Sequence, residues 1–296
     1  MPSRDSSVIP PASSLTYGAL LSVAVLFSLN YIISKLGMRE FAPLTFAWLR
    51  CAGASLLLAL FARHESIPRE DWRQLLLFAV LGVVINQTLF LGGLAFTTVQ
   101  VAAILVTSTP VFTVAGAILI GQERATVPRI GGIALACAGA LLVVGGEGWH
   151  GTSRSLIGTV MILVNCVSYA AYLVLSKPYM AEASARAVVA RMFSVGTLLM
   201  FPIAAPSLWA EEWGAIPPRA WVALVVVILG PTVAAYLLQA WALRHADSSL
   251  VAAQTYIQPV LASILGWFVF AEQVRAIVAV AAVMIFAGVW LAGRKM

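Results

Sequence analysis

What constrains this chain most is a succession of long apolar runs broken only by short polar stretches. A helix needs roughly 20 mainly apolar residues to cross the hydrocarbon of a bilayer, and such runs recur along almost all of the 296 residues. With 61% hydrophobic and only 10% charged residues, the chain carries too little polar surface to coat a soluble globule of its size. Its solvent is therefore mostly lipid, and no stretch is left over for a soluble catalytic domain. The pattern predicts an all-α integral membrane fold with ten helices, at 17–36, 43–62, 73–94, 98–121, 128–146, 156–176, 186–205, 219–242, 249–271 and 275–293. Residues 1–16, with Pro2, Pro10, Pro11 and several serines, read as a disordered cytoplasmic tail.

The net charge of +6 does not point to nucleic acid, because the basic residues are scattered singly through the loops and form no stripe. They act as topology signals. With the N-terminus inside, Arg4, Arg63, Arg69, Arg73, Arg124, Arg129, Lys177, Arg186, Arg244, Arg294 and Lys295 fall on the cytoplasmic side, while Lys35, Arg39, Arg154, Arg219 and Arg275 fall outside. That asymmetry, with an even number of crossings, puts both termini in the cytoplasm. Cys51, Cys137 and Cys166 sit singly in apolar runs and read as small packing residues. No motif calls for a cofactor or a metal.

An internal repeat organises the chain. An offset of 149 residues superposes rare residue types without a gap: Ile67 and Pro68 on Ile216 and Pro217, Trp72 on Trp221, Pro110 and Val111 on Pro259 and Val260, Glu123 on Glu272, and Ala138 and Gly139 on Ala287 and Gly288. Upstream, Ser34 and Lys35 match Ser176 and Lys177 at an offset of 142, and Arg50 matches Arg191 at 141; loops of different length account for the drift. The repeats occupy 17–146 and 156–293. Five crossings are an odd number, so the second copy runs through the membrane in the opposite sense, the plan of many secondary transporters.

The segments FSLNYIISKLG, PLTFAWLR and TSTPVFTVAGAILIGQERATVPRIGGIALACAGALLVV, echoed by YIQPVLASILGWFVFAEQVRAIVAVAAVMIFAGVWLAGRK, resemble the EamA-type repeats of the drug/metabolite transporter superfamily. The proline of the fourth span, the glutamate at its end and the glycine-containing helix that follows carry the resemblance, and all three occur twice. Within the superfamily the chain is similar to bacterial aromatic amino-acid exporters of the YddG type. The resemblance implies ten helices, a central cavity lined mainly by helices 1, 3, 4, 6, 8 and 9, and export of amino acids, with cationic drugs such as paraquat as a further class. TSTP in the fourth span faces YIQP in the ninth, so the two halves of such a cavity are chemically unequal.

Polar residues within spans are the candidate substrate contacts, because an amide or hydroxyl in hydrocarbon needs either a neighbour or a wet cavity. Asn165, Ser168, Tyr169 and Tyr172 follow i, i+3, i+4, i+7 spacing and share one face of the sixth span. Tyr236 and Gln239 of the eighth span map onto Gln87 and Phe90 of the third. Gln254 and Gln258 of the ninth, Thr107 to Thr109 of the fourth and Asn30 of the first complete the set. Interhelical hydrogen bonding is the alternative for each. Phe90, Tyr169, Tyr172 and Tyr236 would meet an apolar side chain, and the amides its ammonium and carboxylate.

Pro110 and Pro259 each remove a helical hydrogen bond near mid-span, making either matched gating hinges or static kinks. Arg50, about two turns into the second span, reads first as snorkelling or paired with a carbonyl, and second as a contact for a substrate carboxylate. Glu123 and Glu272 read first as paired with a nearby base or with backbone at the following turn, and second as groups coupled directly to protons. The small residues Gly132, Ala136, Gly139 and Ala140, echoed by Ala279, Ala287 and Gly288, form stripes for close helix packing inside the bundle or, alternatively, for a dimer contact. No acid or histidine lies near mid-span, which favours facilitated diffusion or exchange over a proton relay.

The expected partners are a small-molecule substrate, an amino acid above all, and the lipid bilayer, with no nucleic acid, in a monomer or homodimer. A drug cation, nucleoside or sugar conjugate is the alternative substrate. An enzyme would need clustered His, Asp or Glu or a G-x-S-x-G nucleophile, and neither is present.

Overall fold

In the computed structural model of the chain, the described residues are 14–62, 72–150, 152–182, 184–272 and 276–292. Arg4, Arg63, Arg69, Arg275, Arg294 and Lys295 of the charge count, and the Ile67–Pro68 pair, lie outside them. Ten helical crossings account for the described chain. They are α1 Ser14–Gly37, α2 Pro43–Ala62, α3 Trp72–Phe96, α4 Val99–Leu119, α5 Val127–His150, α6 Ser153–Glu182, α7 Ala185–Trp209, α8 Pro218–His245, α9 over 248–270 and α10 Ala276–Ala292. The first eight are long and apolar enough to cross a membrane unaided. The ninth is assembled from shorter pieces, and α10 has 17 residues.

The surface is inside-out relative to a soluble protein. Leu119 is 86% exposed, Leu198 74% and Phe268 72%, while Gln87, Gln239, Gln258 and Asn165 are buried. Apolar side chains so exposed are stable against lipid chains, and buried amides are stable only with partners.

The repeat seen in the sequence is also a repeat of helix pairing. Helix α2 packs on its counterpart α7, and α5 on α10; α3 packs on α6 as α8 packs on α1. Each pairing is its own mirror or has one, which is what a pseudo-twofold axis in the membrane plane produces from two oppositely directed copies.

The small-residue stripes lie at the α5–α10 crossing. A Cβ built on Gly132 would stand 2.3 Å from the Gly288 carbonyl oxygen, and one on Gly288 would stand 2.5 Å from that of Gly132. The symmetric contact, Gly139 against Ala281, gives 2.9 Å. Backbone meets backbone there, so these faces are used within the bundle.

The irregularities repeat too. Both α3 and α8 contain π-helical stretches, Val80–Ile85 and Ile228–Ala234. Helix α4 is broken between Val106 and Thr109, and α9 after a 3-10 turn at Gln254–Tyr256. The predicted mid-helix proline kink is therefore corrected in detail. Pro110 and Pro259 stand in the first turn of a new half-helix, where a missing N–H costs little, and the break lies before them. In α4 the hydroxyls of Thr107 and Ser108 take up the carbonyls of Ile104 and Leu105 (2.5 and 2.6 Å).

Two apolar clusters result. One is built mainly on α2, α3, α7 and α8, the other mainly on α4, α5, α9 and α10, and α1 and α6 contribute to both.

Candidate substrate cavity

Between the two clusters lies a cavity of about 60 Å³. Helix α1 supplies Phe27, Asn30 and Tyr31; α2, Arg50; and α3, Asn86, Gln87 and Phe90. The opposite wall is Val106 and Thr109 of α4, Asn165 and Tyr169 of α6, Tyr236 of α8, and Thr255 and Gln258 of α9. The lining thus combines aromatic rings with amides, the composition of a site for a small amphipathic solute.

At its centre the two repeats touch through equivalent residues. Gln87 and Tyr236 are 149 positions apart, the repeat offset, and the Gln87 amide nitrogen donates to the Tyr236 hydroxyl at 2.9 Å. A residue can meet its own symmetry mate only near the axis, so this bond marks where the pseudo-twofold passes. The Tyr236 hydroxyl in turn donates to Asn86 Oδ1 at 3.1 Å, which also accepts from Gln87 at 3.0 Å.

The π-helical stretches explain why these polar groups are here. A π turn interrupts the i to i−4 ladder, and polar side chains from neighbouring helices reach the carbonyls in and beside it. Ser168 donates to Leu81 O at 2.9 Å, and Asn165 to Asn86 O at 2.9 Å, tying α6 to α3. Close approach of these helices needs Gly93 and Gly158, where a Cβ on either would stand 2.7 Å from the other's carbonyl oxygen. In α8, Thr232 donates to Val227 O at 2.8 Å and accepts from Arg50 Nε at 2.7 Å.

Of the sequence candidates, Asn30, Gln87, Phe90, Thr109, Asn165, Tyr169, Tyr236 and Gln258 converge on the cavity. The others stand behind it. Gln239 accepts a hydrogen bond from the Tyr169 hydroxyl, and Gln254 accepts one from Gln258 at 3.3 Å. Tyr172 packs edge-on against Phe78; Ser168 and Thr107 spend their hydroxyls on the carbonyls already named.

Arg50 is the residue whose favoured sequence reading fails. It is 2% exposed and lines the cavity, so it neither snorkels nor pairs with a carbonyl. Phe27, Tyr31, Asn86 and Thr255 were not singled out from the sequence. Asn86 neighbours Gln87, and Tyr31 follows Asn30, so the only available signal was adjacency to a chosen residue.

A charged latch closes one end of the bundle. Glu272, at the end of α9, accepts from Lys35 of α1 at 2.9 Å and from the first N–H groups of α4, Val99 at 3.1 Å and Gln100 at 3.3 Å. Lys35 also donates to Thr97 O at 3.0 Å. At the opposite end Lys177 donates to Ala246 O at 2.6 Å and pairs with Asp247 at 3.5 Å. Glu123 pairs there with Arg129 at 3.4 Å.

Comparison with known proteins decides the family. The EamA-like transporter family matches the chain twice, over residues 14–145 and 156–294. The chain belongs to the EamA-like transporter family. This EamA-like transporter is 27% identical to an uncharacterized transporter of Archaeoglobus fulgidus, over 96% of this chain and 99% of that one. It is 24% identical to the uncharacterized inner membrane transporter YedA of Escherichia coli, over 84% and 81% of the two chains. It is also 24% identical to a Streptantibioticus cattleyicolor protein named "Probable terminal-alkyne amino-acid exporter", over 94% and 93%. A crystal structure at 19% identity shares the fold, with a TM-score of 0.69 covering 95% of this chain and 97% of its own. The protein is a multi-pass membrane transporter of the drug/metabolite transporter superfamily.

Proposed function

We propose that this EamA-like transporter is a carrier, not an enzyme, that exports aromatic and other apolar amino acids across a bacterial inner membrane, with both termini in the cytoplasm. The carrying observation is the cavity on the pseudo-twofold axis, where rings and amides from both repeats face one another. A solute bound there contacts both halves, so rocking one repeat against the other exposes it to one side at a time. The broken helices α4 and α9, each with a proline opening its second half, are the hinges in this reading.

The rings of Tyr31, Phe90 and Tyr169 suit an apolar side chain, and the amides of Asn30, Gln87 and Gln258 suit its polar end. The amino-acid exporter among the relatives supports the same substrate class. Among the cavity-lining residues there is no carboxylate or imidazole to relay a proton. The transporter therefore works as a facilitator driven by the substrate gradient, as a monomer or homodimer.

The test is reconstitution into liposomes and uptake of radiolabelled L-phenylalanine and L-leucine, with tetraphenylphosphonium as the comparator. Saturable amino-acid uptake that an imposed pH gradient does not accelerate at clamped voltage is the expected result. Uptake of the organic cation alone would move the protein to the drug-efflux branch.

A further inference from the structure

Arg50 carries a charge that has no acidic partner among the described residues. A guanidinium remains ionised in proteins, this one is 2% exposed, and none of the residues lining its cavity is Asp or Glu. Its Nε is held by Thr232, which is itself anchored on the π turn of α8 through Val227 O. The guanidinium is thus gripped from one side, and Nη1 is buried without a hydrogen-bond partner. The repeat counterpart, Arg191, lies exposed on α7, so the symmetry puts only one cation at the axis.

A buried cation without a counter-charge is costly, and the cost is relieved when a ligand brings the anion. A second unused group lies in the same cavity. The Gln87 amide nitrogen is committed to Tyr236 and Asn86, which fixes the amide's orientation and leaves Oε1 buried and unpartnered as an acceptor.

We propose that Arg50 binds the substrate carboxylate and Gln87 Oε1 its ammonium, so that the site takes a zwitterionic α-amino acid. The side chain then extends toward Tyr31, Phe90 and Val106. This deepens the amino-acid reading above and rests on it. A guanidinium offers a carboxylate two parallel N–H groups, and an unpaired donor and an unpaired acceptor in one cavity, with the unpartnered Thr255 hydroxyl as a further polar group, match a zwitterion. A lone organic cation would meet Arg50 as a like charge. The anion also neutralises a charge that otherwise opposes burial, so substrate entry favours closure of the repeats around the cavity.

The experiment uses proteoliposomes loaded with L-phenylalanine and measures counterflow of the radiolabelled amino acid against three competitors: L-phenylalanine, 3-phenylpropionate and phenethylamine. The wild-type protein is expected to rank them in that order, with phenethylamine weaker than phenylalanine by roughly 10- to 100-fold, the worth of one or two charge-assisted hydrogen bonds. Arg50→Met is expected to weaken phenylalanine by a similar factor while strengthening phenethylamine, whose like-charge repulsion is gone, and Arg50→Lys to fall between. Gln87→Met should weaken phenylalanine but not 3-phenylpropionate.

Equal competition by phenethylamine and phenylalanine in the wild type would overturn the proposal, and this arm decides the matter even if the arginine variants fail to fold. So would folded Arg50→Met with unchanged phenylalanine competition. Absence of any amino-acid counterflow in the wild type is a different signature: it overturns the amino-acid reading itself, and this assignment with it.

Discussion

Replacing Glu272 by glutamine tests the latch that joins α1, α4 and α9. The carboxylate accepts three bonds, from Lys35 Nζ and from the N–H groups of Val99 and Gln100, at 2.9 to 3.3 Å, and its side chain is 9% exposed. Hydrogen bonds to an ionised group stabilise by about 1.5–3 kcal/mol and neutral ones by about 0.5–1.5, so removing the charge loses roughly 1 kcal/mol at each of the three. The new amide NH2 also faces donors instead of accepting from them, and the charge that favours the N-terminus of α4 is gone.

About 3 kcal/mol is the expected loss, lowering the melting midpoint by on the order of 5–10 °C. Lys35→Gln removes only the ion pair, at a lysine that is 22% exposed and can turn toward water; Glu272 keeps its bonds to Val99 and Gln100, so about 1 kcal/mol goes. The assay is thermal melting of the detergent-purified wild type, both single variants and the double variant. The double should match Glu272→Gln closely. If Glu272→Gln loses no more than Lys35→Gln, the helix-capping role assigned to the carboxylate is wrong.

Three further outcomes are expected. Gly288→Leu should separate α5 from α10 and cost about 1–3 kcal/mol or more, because its Cβ would meet Gly132 O at 2.5 Å and Ala136 N at 2.6 Å; Gly145→Ala, with nothing within 4 Å, should melt no lower than wild type. Tyr236→Phe retains the edge contact with Phe193 at 4.9 Å but loses the bond to Asn86 and the one from Gln87. It should cost about 1–2 kcal/mol and raise the half-saturating phenylalanine concentration several-fold, read in the same liposomes. Pro110→Ala and Pro259→Ala should leave expression and melting near wild type while slowing transport, and unchanged rates in both would dismiss these breaks as hinges.

The sequence alone determined the solvent, the helix count and the duplication. Lipid leaves a chain few ways to satisfy its backbone, and rare residues such as Pro110 and Pro259 or Glu123 and Glu272 betray a repeat that the apolar background hides. It also marked which amides sit within spans, because any such group is conspicuous in hydrocarbon. What it could not tell was which of those amides face the cavity. Tyr169 and Tyr172 lie on one helical face, yet only Tyr169 reaches the cavity, because Phe78 and Gly82 of α3 cover the other.

Only the tertiary structure decided that Arg50 points inward. Its direction depends on Thr232, 182 residues away, and on a π turn in α8 that no local periodicity announces. The breaks in α4 and α9 likewise depend on hydroxyls and carbonyls meeting in space. Burial in a bilayer makes composition decide the architecture, while the position of each polar group is settled by partners that are distant in the chain.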